Sequence, residues 1–323
     1  VKAEYKLLIL LLAVLAISIA LAPFLKLACD AGAQSGGAVA RLLKYDAAEN
    51  TYNFGRAVRR MMMIVLVVVF VSQTRRLGLP GIIRTGFRPA RSAPGLLLQG
   101  VLLGVVSLTI YVIAQWLTGV REVRINPEGG GPLVVIAKLF KYVFSSSATA
   151  LFEEILFRGI LLGVLLRRWR AGPAVIGSSV VYSLLHFFKS GFDVVADGSF
   201  QPWIGLRLVG RFLEPLVTGE LWSNVPQIVG LFLAGVVLCV AVMRTGNLYA
   251  AMGIHAGWIF VLKTSKLMLA REVTHLRWLF GPGGSAGGVL SWVMLLGLWA
   301  AIVALYPKPP AAAPPPPEAG SEP

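Results

Sequence analysis

The sequence predicts an all-α protein, a polytopic transmembrane helix bundle of about eight spans with one interfacial amphipathic helix. Three observations predict it. Of 323 residues, 56% are hydrophobic and 14% charged, and mean hydropathy is +0.75; soluble domains carry about 45–50% apolar and about 25% charged residues. Apolar runs recur at roughly the 20-residue length that carries a helix across hydrocarbon. Basic residues gather at the ends of those runs, as at Arg75-Arg76 and Arg167-Arg168. The net charge of +15 is therefore a topology signal facing anionic lipid rather than a nucleic-acid footprint. With only Cys29 and Cys239, the latter inside an apolar run, a disulfide scaffold is excluded.

The spans read in order as Leu7–Leu27, about Phe54–Val71, Gly95–Leu117, about Pro132–Leu166, Ala171–Phe188, Val225–Met243, Leu248–Leu269 and Ala286–Tyr306. The first exceeds the usual signal-peptide core and has Lys26 where a lipoprotein cleavage site wants an aliphatic residue, so it is expected to be retained. The fourth is long enough to tilt or to begin at the interface. Pro202–Leu221 interleaves Trp203, Leu206, Val209 and Leu213 with Arg207, Arg211 and Glu214, as an amphipathic interfacial helix does.

Orientation follows the basic loops. Gln73–Pro94 carries Arg75, Arg76, Arg84, Arg88 and Arg91 and no acidic residue, and Arg167, Arg168 and Arg170 fill the turn after the fourth span. Both loops are expected in the cytoplasm. That puts both termini there too, in a multi-pass protein of a bacterial plasma membrane. Three regions result: 1–94 with two spans and the basic loop, 95–306 as the membrane-embedded core, and 307–323 as an extended Pro/Ala-rich tail.

An ionisable residue deep in a span costs roughly 2.5–3.5 kcal/mol and is a functional candidate by default. Phe152-Glu153-Glu154-Ile155-Leu156-Phe157-Arg158 places three of them in the fourth span. Glu154 and Arg158, at i and i+4, share a helix face and can pair. Glu153 points about 100° away with no local cation, which leaves it to exchange a proton as a general base must. A structural Glu154–Arg158 pin between helices is the competing account of that pair, but it leaves Glu153 unexplained.

In the fifth span Ser179, Tyr182 and His186 form a polar stripe at helical spacing. Glu153 precedes the Arg167 turn by about as many residues as His186 follows it. At ~1.5 Å per residue both lie roughly 20 Å in, on antiparallel neighbours, and can meet. In the seventh span His255 lies in an apolar run, opposite a small-xxx-small face at Gly253 and Gly257. His275, near Arg271, Glu272 and Arg277, reads as an exposed bystander.

One carboxylate and two imidazoles at similar depth can hold and deprotonate a water and stabilise a tetrahedral oxyanion. Glu153, His186 and His255 are equally a candidate ligand set for one divalent metal such as zinc. The residues alone leave metal and metal-free chemistry both open. A His-Glu-x-x-His helix and a Gly-x-Ser-Gly serine-protease segment are absent, and the aspartates fall in loops.

Glu153, Glu154 and Arg158 resemble the Glu-Glu-x-x-x-Arg motif of the CPBP intramembrane protease family, which includes type II CAAX prenyl endopeptidases and bacteriocin-processing or immunity proteins. Tyr182 to His186 is similar to its Phe-x-x-x-His motif, with Tyr for Phe. Thr245-Gly246-Asn247-Leu248-Tyr249 followed by Gly253-Ile254-His255-Ala256-Gly257-Trp258 looks like the segment around its third motif, His-x-x-x-Asn. The resemblance spans roughly Phe144–Phe260. It implies an intramembrane endopeptidase in which Glu153 activates water, His186 helps hold it, Glu154 and Arg158 order the site, and His255 steadies the oxyanion. The implied partners are membrane lipid and a peptide or protein substrate at the bilayer, with no nucleic acid. The family Asn would fall at Ile259, which offers no hydrogen bond; Trp258, Tyr182 or a second water would then have to substitute. A non-cleaving immunity or scaffold relative is the alternative that Ile259 motivates, and a proton-coupled transporter is a third.

Overall fold

The computed structural model describes residues 92–123, 131–188, 221–271, 276–281 and 286–307, together with scattered positions between 13 and 87. Helices dominate: α1 (Ala93–Leu117), α2 (Pro132–Glu154), α3 (Gly163–Leu166), α4 (Ala171–Phe188), α5 (Leu221–Thr245), α6 (Tyr249–Met268), α7 (Arg277–Phe280) and α8 (Val289–Leu305). The predicted third and fifth to eighth spans each coincide with one of these, the fourth runs from the start of α2 to the end of α3, and the fifth matches α4 residue for residue. A helical stretch at Ala16–Leu25 falls within the first. The amphipathic segment Pro202–Leu221 (save its last residue), His275, most of the basic loop and nearly all of the tail lie outside the described residues.

Among the described residues two helices, Ala93–Leu117 and Asn224–Thr245, are by themselves long and apolar enough to cross a membrane. α2 and α6 are not, because charges interrupt them. α1 also has an inverted surface. Its large apolar side chains Leu98, Leu102, Val106 and Ile110 are all more than half exposed, whereas Gly100, Gly104, Tyr111 and Gln115 are buried. Water does not favour that arrangement, and lipid does.

The small residues have a specific use. A Cβ on Gly100 would run into the Ala250 carbonyl and one on Gly104 into that of Ile254. Reciprocally, a Cβ on Gly253 would meet Leu97 O, and one on Gly257 would sit 2.8 Å from Val101 O. Four glycines on two helices let the α1 and α6 backbones touch. Because Gly253 and Gly257 take the α1 side, His255 looks into the bundle, as the sequence reading expected, and there it meets α2.

Two features escaped that reading. Between α2 and α3 the helix widens into a π-helical stretch, Ile155–Leu162, which begins immediately after Glu154. A two-stranded antiparallel sheet pairs β1 (Arg121–Val123) with β2 (Leu269–Arg271), tying the end of α1 to the end of α6. The interior is apolar in two blocks. Phe157, Leu161, Leu162, Val175 and Tyr182 pack with Cys239 where α4 and α5 meet the π-helical stretch. Val237, Leu238, Ile254, Leu298 and Ile302 pack where α5, α6 and α8 meet. The buried polar groups Glu153, Glu154, Arg158 and His255 come from the helices that border both blocks.

Candidate active site

Glu153 and Glu154 close α2, so they are the last two residues before the π-helical stretch. Arg158 lies inside the stretch, one turn on. Glu154 Oε1 accepts from Arg158 Nη1 at 2.9 Å, the pair expected from the i,i+4 spacing. The guanidinium also reaches Gly235 O on α5 with Nη2 at 3.4 Å and lies 4.4 Å over the Tyr182 ring of α4. A buried cation is thus held by a carboxylate, a carbonyl and an aromatic face.

His186 and His255 both reach Glu153. His186 Nε2 is 3.1 Å from Glu153 Oε2, and His255 Nε2 is 3.7 Å from the same oxygen. The structure brings these three side chains together from three separate helices. Tyr182 serves as a platform: its ring centroid is 4.1 Å from that of His186 and 6.2 Å from that of His255. Phe157 stacks edge-on against it at 5.0 Å.

The second nitrogen of each imidazole fixes its tautomer. His186 Nδ1 lies 3.0 Å from the Tyr182 carbonyl, which only accepts, so Nδ1 carries a hydrogen. His255 Nδ1 lies 2.7 Å from Glu154 Oε1, and that nitrogen donates as well. This Glu154–His255 bond was not foreseen; the sequence reading assigned Glu154 to Arg158 alone. With Nδ1–H on both rings, each neutral imidazole presents only a lone pair at Nε2. A hydrogen bond across the 3.1 Å between His186 and Glu153 therefore needs one further proton, on the carboxyl or on the ring.

One expectation is corrected. Trp258 does not support the site: its indole N–H donates to Ser107 Oγ on α1 at 3.1 Å. Trp258 stands only about 60° from His255 on the helix, yet its indole reaches across to α1. Among the described residues no group of three His, Cys, Asp or Glu is disposed to hold a metal ion. His186 and Glu153 face one another at hydrogen-bond distance.

Local chemistry sets the approach of α6. Gly246, with φ +69°, turns the chain out of α5. Asn247 Oδ1 then accepts the Tyr249 amide at 3.1 Å while its Nδ2 donates to Thr245 O at 3.0 Å, which starts α6. The segment Thr245–Tyr249 thus aims His255 rather than touching the carboxylates itself.

Apolar helices that expose large side chains outward and bury a carboxylate–imidazole cluster define a membrane protein with an internal polar site. Residues 135–261 match the family model described as type II CAAX prenyl endopeptidase Rce1-like, which bears out the CPBP resemblance and supports a protease of the CAAX kind. No curated protein and no solved structure matches the chain. The matched residues contain the Glu153 and His186 motifs and the His255 segment, with Ile259 at the place of the family Asn, and they begin inside α2 and end inside α6.

Proposed function

We propose that the protein is a multi-pass intramembrane endopeptidase that hydrolyses a peptide bond of a membrane-associated protein or peptide with a glutamate-activated water. The observation that carries this reading is the convergence of His186 Nε2 and His255 Nε2 on Glu153 Oε2. The Rce1-like match makes prenylated CAAX-type chain ends the substrate class to try first.

The chemistry follows from the tautomers. A water beside Glu153 gives a proton to the carboxylate as its oxygen attacks the scissile carbonyl carbon. The carbonyl becomes a tetrahedral oxyanion, which His255 steadies as an imidazolium that carries the site's further proton on Nε2 before water attacks, while Glu154 holds Nδ1–H at the other end of that ring. The proton passes from Glu153, with His186 in contact, to the leaving amine, and the carbon–nitrogen bond breaks. Arg158 and Glu154 position the ring and contribute no atom to the reaction.

The test is product analysis by mass spectrometry with purified protein in nanodiscs and a farnesylated CAAX peptide. The parent cuts at one bond, while Glu153→Gln and His186→Ala, folded as judged by thermal unfolding, lose about 10²–10⁴ in rate. Cleavage at the parental rate by folded Glu153→Gln overturns the reading.

Ile259 favours a second reading, a non-cleaving relative that works as an immunity or scaffold partner. In that case Glu153→Gln keeps the biological phenotype, whereas bulk at Gly253 or Gly257, where α1 touches α6, abolishes it.

A further inference from the structure

The seam between α2 and α6 continues past the candidate site. The helices run antiparallel: Glu153 and Glu154 meet His255 at one level, and Ser145 meets Lys263 at another. Lys263 Nζ donates to Ser145 Oγ at 2.8 Å. Burial falls along the way. His255 and Glu153 are buried, Thr149, Ser145, Ile259 and Lys263 are half-buried, and Lys266 is exposed. Exposure rises along the seam from the carboxylates toward a lysine.

We propose that Lys263 anchors the free C-terminal carboxylate of a peptide lying in this seam, and so fixes which bond lies over Glu153; this rests on the peptidase reading. Ser145 is a neutral partner that orients the ammonium without cancelling its charge, and among the described residues no carboxylate pairs with Lys263. Lys263 follows His255 by the same eight positions by which Ser145 precedes Glu153. Eight residues of helix rise about 12 Å, and an extended chain covers that with about three to four residues at ~3.3–3.6 Å each. Ile259, one turn from each of His255 and Lys263, gives that stretch an apolar wall suited to aliphatic side chains. Lipid headgroups would use the exposed Lys141 and Lys266; Lys263 bends into the seam toward Ser145 instead.

The experiment compares a fluorescent farnesylated CAAX peptide as free acid and as carboxamide. Binding is measured to Glu153→Gln protein in phosphatidylcholine nanodiscs, and cleavage by the parent is measured separately. The acid is expected to bind at least about tenfold tighter than the amide. Adding Lys263→Gln brings that ratio to about one, and Lys263→Arg retains it. Equal binding of acid and amide, or an unchanged ratio in Lys263→Gln, overturns the anchor. So does loss of the ratio when phosphatidylglycerol replaces part of the lipid, which assigns Lys263 to headgroups. Selective binding of the acid without cleavage by the parent instead overturns the peptidase reading and leaves the carboxylate site standing.

Discussion

Glu154 Oε1 accepts hydrogen bonds from Arg158 Nη1 at 2.9 Å and His255 Nδ1 at 2.7 Å, so a single oxygen joins the first and third motifs. Glu154 is fully buried, and Arg158 nearly so. Removing one member leaves the others charged or unpaired in an apolar interior, at about 3–5 kcal/mol. Glu154→Ala is therefore expected to lower unfolding stability in detergent by that order. Glu154→Leu combined with Arg158→Met is expected to recover much of it, because the buried charges leave together. A double variant as unstable as the sum of its singles contradicts the shared role.

Trp258→Phe tests the corrected assignment. It removes only the bond to Ser107, worth about 0.5–1.5 kcal/mol. Thermal unfolding should register that loss, and cleavage should proceed at the parental kcat. A fall in kcat of tenfold or more would return Trp258 to the site.

Gly104→Leu drives a side chain into the α6 backbone at Ile254, where no flexible group yields. Overpacking of this kind costs about 1–3 kcal/mol and often more against backbone. The expected outcome is reduced stability with displacement of His255, read as lower kcat and faster exchange of α6 amides. Unchanged α6 protection would show that the α1–α6 contact does not position the histidine.

Ile259→Asn offers a hydrogen-bond donor one turn from His255. An added oxyanion donor is worth up to about 10²–10³ in rate. A rise in kcat on a farnesylated CAAX peptide supports oxyanion stabilisation from this turn of α6, and an unchanged kcat shows that another group already supplies it.

How much of this was legible follows from what is local. The Glu154–Arg158 pair was readable because i,i+4 neighbours on a helix meet wherever the helix goes. The depth of Glu153 and His186 was readable because a short turn joins their helices. The Glu154–His255 bond depends on the register of α6 against α2, set by the α1–α6 glycine contact and by Asn247, and residue spacing does not encode it. Trp258 was misassigned for the same reason: its position on the helix is legible, but the neighbour it faces is not. The π-helical stretch leaves no periodic signature in Ile155–Leu162, where nearly every residue is apolar. It is visible only through its consequences, such as Ser178 Oγ reaching the Phe157 carbonyl at 3.3 Å. Such widenings recur at functional sites, and this one begins beside the two carboxylates.

The most direct test of the central claim is a double-variant cycle on the atoms 3.1 Å apart, Glu153 Oε2 and His186 Nε2. If the carboxyl and the imidazole move one proton as a unit, Glu153→Gln/His186→Ala cuts no more slowly than Glu153→Gln alone. If the two single losses multiply in the double variant, the residues act independently and the account is wrong.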